Sequence, residues 1–85
     1  MQRGYMREIS RVDYDRSNDI LYILFANDAG SSYCEELTDG IEEMKDMDTE
    51  EPTGLMIYYP CRYREKRQDE LEKIGFQMNL AEMCQ

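Results

Sequence analysis

Polar and apolar positions alternate over residues 11–14, with Val12 and Tyr14 on one side, which predicts a short strand. The polar cluster Asp15-Arg16-Ser17-Asn18-Asp19 is turn chemistry. The run Ile-Leu-Tyr-Ile-Leu-Phe at residues 20–25 is apolar on both faces and rich in β-formers. Two strands about a polar loop predict a hairpin. The second strand should be covered on both sides, because leaving either face in water would expose large side chains. Residues 27–32, with Gly30, read as a loop. Leu-Met-Ile-Tyr-Tyr at residues 55–59 is a second run apolar on both faces. A turn with Thr49, Pro52 and Gly54 precedes it, and Pro60, which has no N–H for the ladder, ends it.

Residues 33–47 fit two patterns. Leu37, Ile41 and Met44 are spaced as on one helix face, with Asp39 and Glu42 as a capping pair. Alternatively, strands at 33–37 and 41–47 flank an Asp39-Gly40 turn, and Asp-Gly is a strong hairpin signal. The residues alone leave both open. Residues 62–75 predict a helix: strong helix formers, the i,i+4 pairs Lys66–Glu70 and Asp69–Lys73, and Gly75 as its stop. Its few apolar positions, Tyr63, Leu71 and Ile74, make only a narrow face. In the tail, 76–85, alternation at Phe76, Met78 and Leu80 predicts a short extended segment packing on the rest. The whole, 1–85, reads as one α+β domain: a small antiparallel sheet of four or five strands, a meander of hairpins within 9–60, followed by one C-terminal helix.

Composition removes several function classes. The chain of 85 residues has no His, so Ser–His–Asp and Cys–His catalysis and mixed Cys/His zinc sites are excluded within it. Cys34, Cys61 and Cys84 are odd in number and widely spaced, which indicates neither a disulfide framework nor a zinc ribbon. No secretory signal is visible in the polar N-terminal sequence, and no apolar run is long enough to span a membrane. A reducing cytoplasm is the simplest compartment. The formal charge is −9, which opposes binding to nucleic acid or to anionic membranes. Nearly all of it lies in residues 35–51, which hold nine acids and only Lys45. So small a domain is marginal by itself, and oligomerisation is a usual remedy. Seven Met and seven Tyr suit a surface that packs on something else.

The order of pieces resembles a known family. Val-Asp-Tyr-Asp at 12–15, Asp-Ile-Leu-Tyr-Ile at 19–23, Asp-Gly-Ile at 39–41 and Thr-Gly-Leu-Met-Ile at 53–57 resemble the bacterial domains of unknown function numbered 2283. The resemblance covers residues 9–60 and is most specific at 12–23. It implies an antiparallel meander closed by a helix, and strands within 33–47. Glu42, Glu43 and Lys45 depart from the family's more apolar strand, which puts that strand at an edge, where charge discourages wrong pairing. The family supplies no catalytic residues. Some members are encoded beside small toxin-like proteins, which implies an antitoxin-like role.

Each candidate constellation has a plainer explanation. Asp13, Asp15, Ser17 and Asp19 resemble the opening of a calcium loop, but Asn18 and Leu24 stand where its glycine and closing Glu belong, so hairpin capping is favoured. The acids of 35–51 read as a solvated face rather than a catalytic pair. Cys61, flanked by Arg62 and Arg64, reads as an inert buried thiol rather than a nucleophile. Arg62, Arg64, Lys66 and Arg67 oppose the helix dipole, so acids of 35–51, in this chain or a neighbour, are expected to offset them. Neither a cofactor nor a metal nor a reaction is expected. The expected function is a non-enzymatic, self-associating interaction module, a dimer by preference. Glu42, Glu43, Asp46, Tyr58, Tyr59, Arg62, Tyr63 and Arg64 are its candidate contact residues. The alternative is an antitoxin-like inhibitor whose acidic segment covers a small basic protein.

Overall fold

The computed structural model describes residues 9–25 and 31–84. The N-terminal sequence read for an export signal, and most of the loop expected at 27–32, lie outside them. Five strands precede two helices: β1 (Ile9–Asp15), β2 (Ile20–Phe25), β3 (Ser32–Thr38), β4 (Ile41–Asp46), β5 (Pro52–Tyr58), α1 (Arg64–Lys73) and α2 (Leu80–Met83). The strands form one antiparallel sheet in the order β1-β2-β5-β4-β3. The α+β class, the antiparallel sheet and the C-terminal helix are those expected. The strands do not follow one another as the simple meander expected: β5 lies between the β1–β2 and β3–β4 hairpins, so β2 and β3 are not neighbours. Both doubly apolar runs are interior strands, where their unbroken hydrophobicity belongs. The strand with Glu42, Glu43 and Lys45, expected at an edge, is interior too, between β5 and β3, and Lys45 there reaches Glu35 and Glu43.

Residues 33–47 are strands joined at Asp39-Gly40. Gly40 has φ +80°, a conformation glycine adopts without steric cost. The apparent helical spacing of Leu37, Ile41 and Met44 joins two faces of the sheet: Leu37 and Ile41 lie on the core side, and Met44 lies on the opposite side.

One face of the sheet carries the core. Leu21, Ile23, Ile41, Leu55 and Ile57 are fully buried with Leu71 of α1 and Leu80 of α2, and Phe25 meets Phe76 at 6.4 Å between ring centres. Complete burial of each aliphatic side chain contributes roughly 1.5–3 kcal/mol. Gln68 fixes the tail by donating to Met78 O at 2.8 Å and accepting from Leu80 N–H at 3.0 Å. The tail is not simply extended: Asn79 caps a last short turn by accepting from Ala81 N–H.

That path returns the chain to the start of α1, where Cys84 forms a disulfide with Cys61. The expectation that the cysteines form no disulfide framework, with Cys61 an inert buried thiol, is thereby corrected. Spacing motifs do not reveal a bond between cysteines 23 residues apart; the folding back of the tail creates it. Cys34 is free and exposed. Disulfides persist mainly in oxidising surroundings, so the cysteines do not favour a reducing compartment. Among the described residues no helix is long and apolar enough to cross a membrane.

Candidate interaction surface

Because side chains alternate across a strand, half of each apolar run faces away from the core. Ile20, Tyr22 and Leu24 of β2, Met44 of β4, and Met56 and Tyr58 of β5 occupy this outer face. All are half-buried, and none belongs to the core cluster. The helices and tail cover the opposite side. Gly54 draws this patch together: a Cβ there would lie 2.6 Å from Met44 Cε and 3.3 Å from Leu24 Cδ2, so the absent side chain lets these two close over the backbone. Around the patch stand Asp13 and Asp15 on β1, Glu42 on β4 and Glu36 on β3, against Arg11 alone among the strand bases of that face. The sequence marked these strands as apolar on both sides but did not show which half would stay open.

The eight residues expected to make contact divide among four places. Tyr58 and Glu42 lie on the outer face, where the phenol donates to Glu42 Oε1 at 3.1 Å. Tyr59, Arg62, Tyr63 and Arg64 cluster at the approach to α1. Tyr59 and Tyr63 meet edge to face at 6.1 Å, with the Arg62 guanidinium 5.9 Å from the Tyr63 ring. Glu43 and Asp46 join neither group. Glu43 points to the core side, is only 4% exposed and lies 3.6 Å from Lys45 Nζ. Asp46 holds the β4–β5 turn by accepting from Asp48 and Thr49 N–H.

The basic helix start is offset within the chain. Lys66 reaches Asp39 at 2.9 Å, and Arg67 lies 3.8 Å from the same carboxylate. The hydrogen bond from Lys66 and its charge hold the Asp39 carboxyl below the usual carboxylate range. Arg67 is itself buried, 5% exposed, and donates from Nε to Tyr58 O at 2.6 Å. The turn before α1 is also satisfied internally. Asp19 accepts from Cys61 N–H at 3.3 Å, Arg62 N–H at 3.0 Å and Tyr14 OH at 2.7 Å. Asp19 thus fills the place an external anion would take, and its role is that of a cap rather than a calcium ligand. Among the described residues no group of three or more metal-binding side chains comes together.

Two phenols carry a pH consequence. The hydrogen bond to Asp19 raises Tyr14 above the ordinary 10.0, and burial, followed by the bond to Glu42, raises Tyr58. Both hold their protons more firmly in the folded chain. Their contribution to stability is therefore complete below pH 10 and is lost as the pH rises through the higher folded values. Melting temperature measured from pH 8 to about pH 11 should fall less steeply in Tyr58→Phe than in the parent. An identical decline would remove Tyr58 from the cause.

No family model, curated protein or solved structure matches the chain.

Proposed function

We propose that this protein is a non-enzymatic interaction module that self-associates through its sheet. The observation that carries the reading is the exposed apolar edge of the sheet at β1, where Ile9 and Val12 are 41% and 43% accessible. The face that the helices leave open adds apolar surface beside it. Burying such surface against a second copy supplies what a domain of this size lacks by itself. Sedimentation velocity across micromolar concentrations should show a concentration-dependent dimer. A monomer throughout that range would count decisively against the reading.

The acidic rim of the outer face favours a second reading, in which that face receives a basic protein, as an antitoxin-like inhibitor would. The motif resemblance at residues 12–23 is in keeping with it. Reversal of Glu36 and Glu42, which stand on this rim, should weaken such binding; Glu43 and Asp46 are unsuitable probes, being core-facing and turn-capping. Affinity indifferent both to that reversal and to salt would dispose of it.

Neither reading needs a nucleic acid or a membrane surface, which the net charge of −9 disfavours. In a cytoplasmic location the Cys61–Cys84 bond would face a reducing environment, whereas an oxidising compartment would preserve it. Alkylation of thiols during lysis, followed by mass measurement, reads the state of the bond directly.

A further inference from the structure

Self-association, if it is the function, needs a defined contact, and the two sheet edges differ in what they offer. Among the described residues β1 pairs only with β2, and β3 only with β4, so each leaves a row of backbone donors and acceptors unpaired. β3 carries Glu35 and Glu36 and a bulge between Glu36 and Thr38. A second β3 laid against it would gather acids, and charge and bulge together protect such an edge. β1 is different. It exposes Ile9 and Val12, and its Arg11 and Asp13, 67% and 48% exposed, already reach each other at 2.7 Å.

Symmetry restricts how two copies of β1 can meet. A two-fold axis perpendicular to the sheet keeps both helix-covered faces on one side. Residues directly opposite must then share a face, so some residue of β1 stands opposite itself. Centring on Arg11 sets two guanidinium groups together. Centring on Asp13 sets two carboxylates together, and centring on Tyr14 sets Asp13 against Asp15 twice. Centring on Val12 alone sets Arg11 against Asp13 twice and buries the two exposed Val12 side chains on each other. Opposite charges directly across a strand pair stabilise it, and like charges destabilise it.

We propose that β1 pairs antiparallel with β1 of a second copy, Val12 opposite Val12, with Arg11 of each chain facing Asp13 of the other. The two sheets become one continuous sheet of ten strands, five from each copy. Stacking the outer faces instead would bring two acidic rims together. The inference rests on the self-association reading and assigns its contact.

The test is charge exchange followed by sedimentation. Arg11→Asp alone places four carboxylates at the contact, and Asp13→Arg alone places four guanidinium groups there. Each should weaken the homodimer on the order of tenfold. Mixing the two variants should restore a dimer containing one copy of each, and the double exchange Arg11→Asp/Asp13→Arg should dimerise like the parent. Both substituted side chains are largely accessible to solvent, and circular dichroism verifies folding of each variant. A parent that is monomeric overturns the self-association reading and this contact with it. A parent dimer untouched by either single exchange, or a mixture that fails to recover, overturns the contact and leaves the reading standing.

Discussion

Reduction of the Cys61–Cys84 bond should lower the unfolding free energy by about 3 kcal/mol. The bond closes a loop of 23 residues that contains all of α1 and most of the tail. In the chain-entropy account, its effect is chiefly to restrict the unfolded ensemble. A small domain has only about 5–15 kcal/mol in total, so the loss is a large share. Native contacts of the tail should survive, because Gln68 still clamps Met78 and Leu80 and the Leu80 side chain remains buried. Urea unfolding of the oxidised protein, the reduced protein and Cys61→Ser/Cys84→Ser measures the effect. Reduced and double-variant chains should share a lower midpoint, and a midpoint unmoved by reduction would refute the expectation.

Gly40→Ala should cost about as much, for a different reason. At φ +80° any Cβ is strained, by about 1–2 kcal/mol. A Cβ would also collide with the Arg67 guanidinium. Arg67 has little freedom to withdraw: it is buried, bound to Tyr58 O and packed over the Tyr63 ring at 5.4 Å. The combined cost is about 3 kcal/mol, from the backbone strain and the disturbed buried charge. A double-mutant cycle separates the two parts. In an Arg67→Leu background the clash is relieved, and Gly40→Ala should cost only the strain. Equal costs in both backgrounds would show that the guanidinium yields freely.

These two sites mark the boundary of what the sequence reveals. The β2 and β5 runs were visible as strands because hydrophobicity on both faces suits an interior position. The Asp39-Gly40 turn is legible in its dipeptide, but Leu37 and Ile41 on the core side and Met44 on the outer face fall at helical spacing, so periodicity does not separate the two patterns there. The disulfide was hidden because it depends on the tail's route along α1, which Gln68 and Asn79 direct through hydrogen bonds that have no spacing signature. Of the candidate contact residues, Tyr58 and Glu42 share a face because both lie at outward positions of neighbouring strands. Glu43, one position on, turns to the core, so an acidic run read as one surface splits between two. The Arg11–Asp13 pair drew no notice in sequence, since its significance depends on β1 being an edge.

The placement of β5 between the two hairpins bears on how the chain is made. As a ribosome delivers residues in order, the first hairpin and the second form while the strand that must join them is still missing. Until Pro52–Tyr58 arrives, β2 and β4 each present a bare inward margin to whatever is nearby. The β4 margin closes locally, as a hairpin, but the β2–β5 pairing spans distant parts of the chain, which slows folding. Synthesis stalled just short of that strand would therefore leave a fragment with two adhesive borders, and such fragments should be the species most in need of a chaperone.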